Sequence, residues 1–157
     1  MNWLESNAYA QWILTSATGW PLMLSIHAFG LAIILGVTFA LNLRLLGWYR
    51  TLPYSSLHSL MGIAWIGIVL NIFSGLSVFL TRPASYLQSN PFIFKIVCIV
   101  IGIVILAKTR KMLRLDAANW DASGTVPALA KQLAWASLAF WILAVIAGRL
   151  IAYLDIS

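Results

Sequence analysis

The sequence predicts an all-α integral membrane protein: one domain, a four-helix transmembrane bundle with a short N-terminal interfacial helix. Three observations predict it. Of 157 residues, 62% are hydrophobic and only 9% charged, whereas an ordinary soluble domain has roughly 45–50% apolar and about 25% charged residues. Mean hydropathy is +0.91. Four apolar runs are each long enough for a hydrocarbon core of about 30 Å, which takes roughly 20 residues of helix to cross. This composition excludes disorder, a fibrous repeat and almost any soluble enzyme fold. A single Cys excludes a disulfide framework and a thiolate metal cluster. The net charge of +6 is explained by membrane topology, so the expected partner is a lipid bilayer and not nucleic acid.

The elements follow in chain order. Trp3, Leu4, Ala8, Trp12 and Ile13 fall broadly on one side of a helix over residues 3–14. Trp favours the membrane–water boundary, so this stretch reads as a helix lying on the outer surface. It has no basic n-region and carries Glu5, which argues against a signal peptide. The first span covers about residues 21–41 and stops at Asn42 and Arg44. The second covers about 57–81 and stops at Arg82 and Pro83. The third covers about 91–107 and ends in Lys108, Arg110, Lys111 and Arg114. The fourth covers about 132–154. Pro21 and Pro91 suit a first helical turn, where a missing N–H costs nothing. All four runs must be helical, because backbone groups in lipid have to be paired internally and no strand-like alternation is present. Residues 115–130, with Asp116, Asp121, Gly124 and Pro127, read as the one sizeable loop.

Seven of the ten Lys and Arg residues fall in the loops after the first and third spans: Arg44, Arg50, Lys108, Arg110, Lys111, Arg114 and Lys131. Basic loops stay cytoplasmic, which places both termini outside, in the periplasm of a bacterium. The loops are too short for a soluble catalytic domain.

An ionisable residue inside a span marks a functional site by default, since its cost at the bilayer centre is about 2.5–3.5 kcal/mol or more. His27, Lys95 and Arg149 qualify, and all three fall in the outer third of the bundle, where no acidic residue matches them. That is the composition of an anion site for a carboxylate, a phosphate or the propionates of a haem. Against it stand snorkelling of Lys95 and Arg149 to the headgroups and a packed, hydrogen-bonded His27. His27, Gly30, Ile34, Thr38 and Leu41 share one stripe. Gly30 serves either to receive a flat macrocycle or to let two helices approach closely. Asn71, near mid-membrane, is expected to hydrogen-bond across the bundle. His58 begins the second span, at the opposite depth from His27, so the two cannot share one haem iron. Met23 and His27, at i and i+4, are the only soft-ligand pair for a metal. There is no carboxylate pair, no Ser/His/acid set and no metal-ligand cluster.

The run from His27 through Gly30-Leu31 to Gly36, followed by Leu43-Arg44-Leu45-Leu46-Gly47, resembles the first span of a family of small uncharacterised bacterial four-helix membrane proteins. Ser74-Gly75, the Asn90-Pro-Phe-x-x-Lys95 start of the third span and its exit at Lys108 to Arg110 are similar, more distantly, to the membrane domain of copper-resistance D (CopD) proteins. The resemblance covers most of residues 20–114. It implies an inner-membrane location and puts His27, Arg44 and Lys95 first among positions to test. The CopD similarity implies copper uptake.

Three functional expectations result. The first is a non-enzymatic inner-membrane protein that binds a small ligand or cofactor, haem b being the first named, in a periplasm-facing pocket of His27, Lys95, Arg149 and Gly30, as a small subunit of an electron-transfer assembly. The second is a CopD-like copper permease with Met23 and His27 on the path. The third is a structural subunit packed against another membrane protein.

Overall fold

A computed structural model describes residues 2–154. It contains seven helices among the described residues: α1 (Asn2–Glu5), α2 (Ala8–Thr15), α3 (Gly19–Leu45), α4 (Tyr54–Phe79), α5 (Pro83–Gln88), α6 (Asn90–Ser123) and α7 (Ala128–Leu154). Four of them, α3, α4, α6 and α7, are long and apolar enough to cross a membrane. The protein is therefore an all-α membrane bundle, as its composition requires.

The long helices form a ring. α3 packs most extensively on α4, and α6 on α7; α4 also meets α6, and α3 meets α7. The stripe read on the first span is the inner face of α3: Gly30, Ile34, Thr38 and Leu41 are all buried. Ile34 and Leu41 join Leu45, Leu57, Met61, Ala64, Leu106 and Ala134 in one continuous core. The outward faces are apolar too. Ile66, Val69, Leu76 and Val100 are each more than half exposed, a surface that only a lipid solvent tolerates without aggregation.

Helix ends follow local chemistry. Gly47 has φ 100°, and its N–H donates to Arg44 O (3.1 Å), while the Trp48 N–H donates to Leu43 O (3.0 Å). This is the paired hydrogen-bond pattern that closes a helix on a left-handed glycine. The Leu-Arg-Leu-Leu-Gly exit is thus a helix stop. Ser89 caps α6 by accepting from the Phe92 N–H (3.2 Å), with Pro91 inside the first turn. Gly124, at φ 64°, ends α6, its N–H donating to Trp120 O (2.9 Å).

Two sequence expectations need correction. Residues 115–130 are not a loop: α6 runs on to Ser123, and the connection shrinks to residues 124–127. Thr109, Leu113, Ala117 and Trp120 are buried along this extension, so a helical stripe continues past the charged exit and packs on the core. The N-terminal segment is not one surface helix either. It breaks into α1 and α2, and α2 docks on α3 and α4 through fully buried Ala10 and Ile13, while Trp3 and Trp12 stay exposed.

Candidate functional site

The end of the bundle covered by α2 holds the polar residues. On α3, the backbone carbonyl of His27 accepts from Asn71 Nδ2 on α4 (3.0 Å), which is the cross-bundle bond expected of Asn71. The His27 ring places Nδ1 3.0 Å from Ser74 Oγ. Ser74 also donates to Leu70 O (2.7 Å), one turn back on its own helix. With Ser74 Oγ as that donor, Nδ1–H donates to Ser74 and Nε2 is left as a free acceptor. The ring lies against Gly75 of α4, where a Cβ would stand in ordinary contact, 3.6 Å from His27 Cε1.

One turn toward α2, the Met23 side chain is buried. The Tyr9 hydroxyl of α2 reaches both Met23 Sδ (3.8 Å) and Ser77 Oγ (2.9 Å). Tyr9 and Ser77 lie 68 residues apart, and sequence inspection had no signal to join them. α2 is therefore fastened over the His27 end by a hydroxyl pair as well as by Ala10 and Ile13.

Lys95 enters from α6, half-buried, its Cε and Nζ each 3.5 Å from where a Cβ on Gly148 of α7 would stand. A Cβ there would make ordinary van der Waals contact, so the lysine stem lies close along α7. Its ammonium lies within electrostatic reach of His27. Lys95 has no hydrogen-bond or ion-pair partner among the described residues. Arg149, by contrast, is exposed and donates to Tyr153 OH (3.0 Å), its guanidinium 5.4 Å from the Tyr153 ring centroid. The structure sets the Lys95 ammonium within electrostatic range of the His27 ring, without a hydrogen bond between them, and it turns Arg149 toward the bundle surface with an aromatic neighbour. Asp155, one residue past the end of α7, lies outside the described residues.

Gly30 lies one turn deeper, facing Gly67. A Cβ on Gly30 would stand 2.9 Å from Gly67 O and 3.0 Å from Asn71 N, and a Cβ on Gly67 would stand 2.9 Å from Gly30 O. The two glycines bring the α3 and α4 backbones into direct contact, which is the close-approach use of small residues in membrane helices. His58 sits near the start of α4, sixteen positions before Ser74, so about 24 Å of helix separates it from the His27 ring. Among the described residues, no group of three or more His, Cys, Asp or Glu can hold a metal ion.

The opposite end carries a second polar cluster that sequence reading treated as separate features. Arg44 is buried, its guanidinium 3.8 Å from the Tyr54 ring centroid. It donates to Tyr54 OH (2.7 Å), Leu52 O and Arg50 O (3.4 Å), which holds the α3–α4 loop closed. Asp121 of α6 accepts from the N–H groups of Tyr54 (2.6 Å) and Ser55 (3.1 Å). Every partner of this cluster is internal, so it reads as a structural clasp. A comparison with protein-family models, curated proteins and solved structures found no match to this chain.

Proposed function

We propose that this protein is a non-enzymatic membrane protein that binds a small anionic ligand at the α2-covered end, with Lys95 supplying the charge and His27 Nε2 a directed polar contact. One observation carries the reading: Lys95 is half-buried in an apolar bundle with no anionic partner among the described residues, within electrostatic range of a histidine whose second ring nitrogen is uncommitted. A cation at membrane depth is costly unless compensated, and an anionic guest supplies that compensation. Tyr9, Ser77 and Ser74 add hydroxyls around the same end. The contact of Gly30 with the α4 backbone favours a compact carboxylate or phosphate over haem b, whose macrocycle needs an open face there. By the distribution of basic residues, the clasp end is cytoplasmic and the α2 end periplasmic, in a bacterial inner membrane.

The test is to purify the full chain in detergent, denature it and identify released small molecules by mass spectrometry, recording oxidised and reduced visible spectra on the same sample. A near-stoichiometric anion, retained in Arg149→Gln and lost in Lys95→Gln, is the expected result. Identical small-molecule content in wild type and Lys95→Gln overturns the proposal. A Soret band lost in His27→Ala would replace the anion with haem.

A copper-permease reading in line with the CopD resemblance draws on one observation: Met23 and His27 occupy successive turns of α3 beneath α2. It requires copper-dependent growth effects that disappear in both Met23→Ala and His27→Ala.

A further inference from the structure

At the clasp end, α6 and α7 leave a groove of about 290 Å³ between them, lined by Lys108, Lys111, Met112, Leu129 and Leu133. Lys108, Lys111 and Met112 stand at i, i+3 and i+4, so one stripe of α6 sets two ammonium groups beside an apolar wall. Leu129 and Leu133, one turn apart on α7, form the opposite wall. Both lysines are exposed, and neither has a hydrogen-bond or ion-pair partner among the described residues.

Depth decides what such a groove meets. Lys108 lies eighteen positions along α6 from Asn90, about 27 Å of helix. The lysines therefore stand where a hydrocarbon core of about 30 Å gives way to headgroup phosphates. Exposed Trp48 and Tyr49 occupy the same end, the aromatic company expected at that level. A groove of similar size between the same two helices at the α2 end, lined by Pro91, Phe94, Ile146 and Leu150 among others, has no charged lining residue. The two lysines are what distinguish the clasp-end groove. Cations beside an apolar wall at a phosphate level complement an amphiphile better than a free ion.

We infer that this groove binds one anionic phospholipid, its phosphate between the Lys108 and Lys111 ammoniums and an acyl chain along Met112, Leu129 and Leu133. The inference is independent of the ligand at the α2 end.

The experiment uses the full chain in a mild non-ionic detergent, titrated with phosphatidylglycerol or with phosphatidylcholine of the same acyl chains, and reads bound lipid by native mass spectrometry. One phosphatidylglycerol is expected to bind with a preference of about tenfold or more. Lys108→Gln with Lys111→Gln should weaken it by roughly 10- to 30-fold. Arg110→Gln with Arg114→Gln removes equal charge outside the groove and should leave affinity within about twofold. Equal binding of the two lipids, or equal loss in both double variants, overturns the inference. So does displacement of the lipid by an equal concentration of inorganic phosphate, which would make this a free-anion site.

Discussion

Gly30 and Gly36 lie on the same helix and should answer the same substitution in opposite directions. A Cβ at Gly30 meets the α4 backbone at 2.9–3.0 Å, and one at Gly36 meets nothing within 4 Å. Backbone cannot rotate aside as a side chain can, so Gly30→Ala must push α3 and α4 apart, at a cost of about 1–3 kcal/mol. Gly36→Ala should stabilise by about 0.5–1 kcal/mol, because alanine loses less conformational freedom in a helix. Unfolding in mixed detergent–SDS micelles, followed by circular dichroism, measures both. Matching signs would refute the glycine contact. The sequence offered two uses for Gly30, a cofactor floor or a helix contact, and favoured the contact only on the general habit of small residues in membrane helices, because the deciding partner, Gly67, lies on another helix. His27 and Lys95 were legible because an ionisable residue inside an apolar run stands out alone. Tyr9 and Ser77 were not, and Ser74 stood out only as part of a short motif, since a hydroxyl in a membrane helix is commonplace until its partner is known.

Between elements, a two-bond polar fastening joins α6 to the start of α4. The N-terminus of α4 presents unpaired N–H groups and a partial positive charge, and Asp121 satisfies two of them from a helix 66 residues or more away in sequence. Asp121 lies in the part of α6 beyond the bilayer. Desolvation draws its pKa upward, but the Tyr54 and Ser55 backbone donors, the Ser55 side chain and the Arg44 charge outweigh this, and the net shift is downward. A carboxylate whose folded pKa is depressed contributes stability above its unfolded pKa, about 3.9, and loses it as pH falls through the lower folded value. Wild type should therefore exceed Asp121→Asn in stability at pH 6, and the gap should close below about pH 4. The gap should be small and salt-sensitive, because the carboxylate is exposed. Thermal unfolding of both proteins across that range is the check, and a pH-independent gap would show that the carboxylate charge plays no part. The extension of α6 that carries Asp121 was missed for a definite reason. Reading for membrane spans stops at Lys108, yet Met112, Leu113, Leu115, Ala117 and Ala118 are good helix formers and Thr109, Leu113, Ala117 and Trp120 keep the helical period. The period continued where the hydrophobicity ended.

For the whole molecule, the bilayer fixes how much of each helix is wet. α6 has 34 residues, about 51 Å of helix against a core of about 30 Å, so its last third projects beyond the lipid. Spin labels at Val100 and Val104 should be relaxed by oxygen dissolved in the bilayer, and labels at Ala118 and Asn119 by a water-soluble nickel chelate. All four positions are exposed. Oxygen-dominated relaxation at Ala118 would place the extension in the membrane and overturn this arrangement. The packing of the helices in pairs has a further consequence. α3 with α4 and α6 with α7 are each joined by a short connection and share their largest contacts, while the pairs meet each other less extensively, with the Asn42 side chain donating to Ser137 Oγ (2.9 Å) across that seam. As the chain leaves the ribosome, each hairpin can enter the membrane as a self-sufficient unit. The last step of assembly is then expected to be the docking of two hairpins across the seam that the Asn42–Ser137 hydrogen bond bridges.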